Sequence, residues 1–183
     1  HNVLNALACI SVGKILGIGV EKIKEAIETF PGVRRRCEIV GKEKGILIID
    51  DYGHHPTEIK ATLSSLKSVF PKRRLIVVFQ PHQYSRTRFL LKDFASSFTD
   101  ADKVVVPDIY FVRDSLKEKK LVNAEILVDR IRKNGKEALY LPTFEEIVEY
   151  LMEILRKNDI ILTLGAGPVD WVAKRLLERL REK

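Results

Sequence analysis

The chain has 183 residues, 45% of them hydrophobic and 31% charged, which suits one good-sized domain, or one domain plus a piece of another. Its net charge of +7 is compatible with anionic partners such as a nucleotide, a phosphate ester or a nucleic acid, and equally with a solvated basic surface. Two widely separated cysteines, Cys9 and Cys37, exclude a disulfide framework and a zinc-binding spacing, no apolar run approaches the roughly 18 residues of a membrane span, and no signal peptide is visible, so a soluble, cytoplasmic protein is expected.

Residues 1 to about 30 read as two helices. The first carries Val3, Leu4, Leu7 and Ala8, runs to about Leu16 and breaks at Gly17-Ile18-Gly19. The chain starts directly in this pattern, without an initiator methionine or a leading strand, as a piece cut from a longer protein would. The second helix covers about Val20 to Phe30, with Ile23, Ala26, Ile27 and Phe30 on its apolar side. Pro31-Gly32 then punctuates and the basic run Arg34-Arg35-Arg36 follows, which makes this the best candidate for a domain junction.

Beyond the junction the pattern changes. Cys37 to Val40 and Ile46 to Asp50 read as two strands of a hairpin joined by a turn rich in Gly and Lys. Pro56 then opens a helix with Ile59, Leu63, Leu66 and Phe70 on one face. The continuous apolar runs Leu75–Phe79 and Val104–Val106 suit parallel strands covered on both faces. Between them lies a helix with Leu91, Phe94 and Phe98, and a polar loop with Lys117 to Lys120 follows. Asn123 is placed to cap a helix carrying Ala124, Leu127, Val128 and Ile131. Ala138 to Leu141 is a short strand, and Thr143 to Glu146 has the form of a capping box. Ile160 to Leu164 is the last strand, then Gly165-Ala166-Gly167-Pro168, then a helix to about Leu180. Such alternation predicts an α/β fold, a doubly wound, mostly parallel sheet.

Three strand ends carry chemistry, and in this architecture they converge on one edge, where open α/β sheets bind ligands. They are Asp50-Asp51-Tyr52-Gly53-His54-His55, Gln80-Pro81-His82-Gln83-Tyr84-Ser85-Arg86-Thr87-Arg88, and Gly165-Ala166-Gly167. Arginines suit carboxylate or phosphate oxygens, and glycines let a backbone approach a ligand closely. The free N–H groups at the start of the helix opened by Pro56 offer a further place for a ligand oxygen. Each feature also has a plain reading. Asp50 or Asp51 would serve as a helix cap, the histidines and Tyr84 as turn or packing groups, and Arg34 to Arg36, Arg86 and Arg88 as solvent-facing charge. A metal site drawn from the Asp50–His55 turn and His82 is disfavoured, because adjacent strand residues point to opposite faces. Neither a Walker-type phosphate loop nor a full Gly-x-Gly-x-x-Gly occurs, so the main phosphate cradle of any ATP-using enzyme lies elsewhere.

Taken in order, five stretches resemble the Mur ligase family of peptidoglycan-precursor enzymes across almost the whole chain. They are His1-Asn2-Val3-Leu4-Asn5-Ala6, Gly32-Val33-Arg34-Arg35-Arg36 with Glu38, Asp50 to Glu58, Phe79 to Arg88, and Gly165-Ala166-Gly167. The Gly53-His54-His55-Pro56-Thr57-Glu58 and Gln80-Pro81-His82 stretches resemble the alanine-adding branch in particular. The resemblance implies that residues 1 to 32 are the tail of a central ATPase domain and that residues 33 to 183 are the family's Rossmann-like C-terminal domain. It implies an ATP-dependent ligase, in which the muramoyl carboxylate of UDP-N-acetylmuramate becomes an acyl phosphate that the amino group of L-alanine attacks. The implied cofactors are ATP and Mg²⁺, with the main Mg²⁺ ligands upstream and no metal ligand in this chain. The implied partners are the two small substrates and the upstream domains, not nucleic acid or membrane.

By the same resemblance, Asn2 and Asn5 meet the adenine side of ATP, Arg36 contacts phosphates and Asp51 binds the ribose hydroxyls. Tyr52, His55 and Arg86 place the muramoyl and alanine groups, with Arg86 a clamp for the alanine carboxylate. Arg36, His55 and Arg86 thereby carry the catalytic contribution, through positioning and electrostatics rather than nucleophilic attack. One departure is Gln83, where the family usually has Arg; it hydrogen-bonds but does not pair as a cation. The alternatives are a ligase that recycles whole peptides onto UDP-muramate, a basic nucleic-acid-binding α/β module, and a metal-dependent hydrolase built on the Asp/His turn.

Overall fold

The structure, a computed structural model, describes residues 2–182, without the side chain of Asn2. The chain divides into two compact units, His1–Val33 and Arg34–Lys183.

In the first unit, α1 (Asn2–Ile15) and α2 (Val20–Glu28) are separated by the expected glycine break. Gly17 takes φ 71° there, a conformation that costs glycine nothing, and Gly19 is the N-cap of α2. Gly13 lets the helices close: a Cβ on it would lie 2.7 Å from Ile23 Cδ1. The predicted apolar stripe of α2 is narrower than its sequence. Ile23 is buried, Ala26 is exposed, and α2 ends before Phe30, which is also exposed.

The second unit begins with a hairpin of β1 (Glu38–Glu43) and β2 (Ile46–Asp51). Lys44 and Gly45 turn it with φ of 50° and 79°, both positive as a type I′ turn requires. After it come α3 (Pro56–Val69), β3 (Leu75–Phe79), α4 (Tyr84–Phe89), α5 (Leu91–Ala95) and β4 (Lys103–Val106). Next are α6 (Leu116–Lys119), α7 (Ala124–Lys133), β5 (Ala138–Tyr140), α8 (Phe144–Ile154), β6 (Ile160–Leu164) and α9 (Asp170–Glu182). Two elements differ from expectation. The helix after β3 is broken at Leu90 (φ −103°) into α4 and α5. The polar loop contains the short α6, because Ser115 accepts a bond from Glu118 N and starts a turn.

The six strands lie in the order β1-β2-β6-β3-β4-β5, antiparallel at β1–β2 and parallel elsewhere. Strand alternation sends Leu47, Ile49, Val77, Phe79 and Leu162 into a core with α3, α5 and α7. Ile48, Ile76, Val78, Val105 and Ile161 face the other way, onto α8 and α9. The result is helices on both faces of a mostly parallel sheet, the doubly wound arrangement. Asn123 caps α7 through Ile126 N at 2.9 Å, and Thr143 and Glu146 form the capping box of α8.

The register brings the site together. Asp51, Leu164 and Phe79 stand abreast on β2, β6 and β3. The residues that follow them, Tyr52, Gly165 and Gln80, therefore leave the sheet side by side at its carboxyl edge.

Candidate functional site

The two carboxylates ending β2 have separate tasks, as alternation along a strand dictates. Asp50 is 1% exposed. Arg35 Nε donates to its Oδ2 at 2.8 Å, and Thr163 Oγ1 donates to its Oδ1 at 2.5 Å. Burial raises its carboxyl above the ordinary range, against the pull of Thr163 and Arg35. Asp51, also buried, accepts Cys37 N on Oδ2 at 2.8 Å and Gly53 N on Oδ1 at 2.7 Å. Neither carboxylate caps α3.

Arg35 is the keystone of this edge, and the sequence pattern does not single it out. It reaches past Asp50 to the carbonyl of Gly165 at 2.7 Å, and its own carbonyl accepts Tyr52 N at 2.7 Å. One side chain thus ties the segment before β1 to the ends of β2 and β6. Tyr52 lies under two guanidinium groups, with Arg35 5.3 Å and Arg36 5.6 Å from its ring centroid. Arg36 itself is exposed, with Glu58 at 4.0 Å. Beneath them the Cys37 thiol is pushed up to about 12, first by burial and then by the charge of Asp51, so it is no nucleophile.

The start of α3 is closed by its own side chains, which corrects the expectation of free N–H groups. His55, not an aspartate, is the N-cap, and its Nδ1 accepts Thr57 N at 3.3 Å. Glu58 Oε2 accepts the backbone N–H groups of His54 (2.9 Å) and His55 (3.0 Å). Burial alone would raise the Glu58 carboxyl. Those two N–H groups, with His54 and Arg36 nearby, outweigh it and hold the group below the ordinary range. The His55 ring remains exposed at the rim.

An aromatic path leads from this turn to the end of β3. Tyr52 meets His54 edge-on at 5.5 Å, His54 meets His82 at 6.0 Å, and His82 meets Tyr110 at 5.6 Å. Arg86 extends from α4 with Nη1 3.4 Å from His82 Nδ1. Burial lowers the proton affinity of His82, and the charges of Arg86, His54 and Arg113 lower it further, so the imidazole is neutral near pH 7. Gln83 holds a strained backbone, φ 70° and ψ 132°, directly before α4. Arg88 is paired with Glu118, Nε to Oε2 at 2.7 Å, so it braces α4 on α6 and is not a free cation.

The Gly165-Ala166-Gly167 turn is tight because Gln80 occupies the space. Gly165 takes φ 149°, and a Cβ there would lie 2.7 Å from the Gln80 carbonyl; one on Gly167 would lie 2.3 Å from Gln80 Oε1. That Oε1 is buried and has no hydrogen-bond partner among the described residues. Among the described residues, no three His, Cys, Asp or Glu side chains group to hold a metal ion.

The structure thus gathers Arg36, Asp51, Tyr52 and His55 at the β2–α3 turn, and joins Arg86 to it through His82 and His54. Asn5 is exposed on α1 of the first unit, and the Asn2 side chain and His1 lie outside the described residues. Arg35 and Gln80, which lie within the family-like stretches but have no role implied by them, and Tyr110 and Arg113, which lie in no motif, complete the edge.

Residues 35–167 match the family model for the Mur ligase, glutamate ligase domain. A UDP-N-acetylmuramate–L-alanine ligase of Caldanaerobacter subterraneus subsp. tengcongensis is 48% identical over 178 residues, covering 97% of this chain and 38% of that protein. The chain thus spans about two fifths of the length of the curated relatives it matches. The crystal structure of UDP-N-acetylmuramate–alanine ligase MurC from Thermotoga maritima superposes with a TM-score of 0.82 at 33% identity, covering all of this chain and 38% of that one. A murein peptide ligase, Mpl, from Psychrobacter arcticus 273-4 gives 0.68 at 27% identity, covering 98% of this chain and 37% of that one. A family model that takes in the whole β2–α3 turn, the β3–α4 segment and the glycine turn leaves one conclusion: the chain belongs to the Mur ligase family.

Proposed function

We propose that the chain is the carboxyl-terminal part of an ATP-dependent ligase that joins L-alanine to UDP-N-acetylmuramate. The 48% identity to a protein named for that reaction, held over nearly the full chain, is the observation that carries the reading. Residues 1–32 are then the end of a central ATPase domain and residues 33–183 the C-terminal domain. The working enzyme is cytoplasmic and needs no nucleic acid or membrane.

The chemistry of the edge fits a nucleotide. Each Asp51 oxygen accepts one backbone N–H and retains a lone pair for a hydroxyl donor, as a ribose requires. Arg36, with a side chain 52% exposed and only a long contact of 4.0 Å to Glu58 among the described residues, is available to meet phosphate oxygens. ATP, with Mg²⁺ held mainly by upstream residues, supplies the phosphoryl group that activates the muramoyl carboxylate.

The chain's own contribution is placement. Tyr52, held against two guanidinium groups, and His55, fixed as the N-cap of α3, bound the muramoyl side. Arg86 holds the carboxylate of alanine while its amino group attacks. Fixing the reactants in this way removes most of the entropic part of the barrier, and cationic groups stabilise the charge that develops.

The test follows phosphate release from ATP by the intact protein with its upstream domains. Release that requires both UDP-N-acetylmuramate and L-alanine is expected. Release with a tripeptide in place of L-alanine would move the reading to a peptide-recycling ligase. The 183 residues alone are expected not to turn over, and ATP-dependent ligation by them would sink that claim.

A further inference from the structure

Arg113 is a free cation held beside the ligand edge. It sits in the segment after β4, which is laid along the β3–α4 connection by three bonds. Tyr110 N donates to the Pro81 carbonyl at 2.9 Å, Gln83 N donates to the Tyr110 carbonyl at 3.1 Å, and Ser85 N donates to Asp114 Oδ2 at 2.8 Å. Arg113 lies inside this zipper, with φ 50°, a left-handed backbone that a bulky side chain adopts only when its surroundings impose it. It is exposed and has no hydrogen bond or ion pair among the described residues. Its charge is felt at His82, which also faces Arg86 and His54.

The nearby carboxylates are already committed. Asp114 accepts Ser85 N and Ser115 N, and Asp108 accepts the Tyr140 hydroxyl at 2.6 Å. Both guanidinium groups whose charge acts on the neutral His82 imidazole, Arg86 and Arg113, are therefore without an ion pair among the described residues. Like charges brought together without a partner repel each other, and an anionic ligand relieves that repulsion. A planar carboxylate suits such a pair, since each guanidinium presents parallel N–H donors.

We infer that Arg113, on the Tyr110–Asp114 segment pinned along residues 81–85, is a second binding arm beside Arg86 and takes the carboxylate of the incoming amino acid. The inference rests on the ligase reading and adds a residue to that site, sharing with Arg86 the carboxylate of the amino acid. Gln83, neutral and strained, then serves to shape the connection between the two arms.

Kinetics of the intact protein test it. Arg113→Gln is expected to raise KM for L-alanine about tenfold, the loss of a charge-assisted hydrogen bond, with KM for ATP and for UDP-N-acetylmuramate within about twofold of the parent. With L-alaninamide, which lacks the carboxylate, parent and variant should be alike. An unchanged KM for L-alanine, a rise confined to UDP-N-acetylmuramate, or an equal loss with L-alaninamide would each overturn the inference. A second readout does not need turnover. Acetate should raise the NMR-measured pKa of His82 in the parent, assigned by its loss in His82→Asn, and raise it less in Arg113→Gln. An equal acetate response in both proteins overturns the inference even if the parent ligates nothing.

Discussion

Arg35 and Asp50 form an ion pair at 2.8 Å in which the carboxylate side chain is 2% exposed and the guanidinium 23%. The carboxylate would be costly without its partner, because burial already lifts its proton affinity. Since Arg35 also holds the Gly165 carbonyl, the pair fixes the glycine turn relative to β2. Arg35→Met should destabilise the chain by about 3 kcal/mol in urea unfolding. Adding Asp50→Asn should return part of that loss. A double variant no more stable than Arg35→Met alone would show that the pair is not the source.

The two glycines of the turn should respond differently to alanine. At Gly167 the added Cβ meets the far end of a flexible side chain, Gln80 Oε1, which makes no bond and can move. At Gly165 it meets the Gln80 backbone carbonyl, and φ 149° is hostile to any side chain. Gly165→Ala is expected to cost more than Gly167→Ala, which should cost about 1–3 kcal/mol. Gln80→Ala should suppress the Gly167→Ala loss and leave the Gly165→Ala loss in place. Equal suppression at both positions would contradict this account.

What the sequence reveals here follows from what each signal depends on. The sheet is legible because Ile46–Ile49, Leu75–Phe79 and Ile160–Leu164 are covered on both faces and so are apolar throughout. The chemistry-bearing strand ends are legible because a parallel sheet must put them on one edge. Arg35 is hidden because three consecutive arginines carry the same chemistry. The inward one is chosen by backbone, φ 57° at Arg35 and 48° at Cys37, which no residue type announces. The α4–α5 break at Leu90 lacks a glycine or proline to mark it. Arg113 escapes notice for another reason: its proximity to His82 comes from β4 lying beside β3, a tertiary fact.

Arg86 and Arg88 are two residues apart and chemically identical, yet only one is available to a ligand. Arg88 is held by both oxygens of Glu118, whereas among the described residues Arg86 has only the His82 ring nitrogen. In the intact enzyme Arg86→Ala should lower kcat/KM for L-alanine about a hundredfold, the scale of a lost charged contact. Arg88→Ala should leave it within about twofold. Equal losses would mean that α4 as a whole, and not the Arg86 charge, is what the substrate requires.

Glu58 makes the α3 cap sensitive to acid, and the sign follows from its depressed carboxyl. A carboxylate held below its unfolded value of about 4.3 contributes stability that is complete above that value. The contribution is lost as pH falls through the lower, folded value. Glu58→Gln removes it at every pH, so the stability difference between parent and variant should be constant at neutral pH and vanish in acid. Its size should reach only about 1 kcal/mol, a capping energy moderated by solvent at a carboxylate that is partly exposed. Asp50 shifts in the opposite direction, and its protonation favours the folded chain in acid. That term is common to both proteins and cancels in the difference. A gap between parent and Glu58→Gln that widens as pH falls would therefore mean that the acid sensitivity of the turn does not reside in the Glu58 cap.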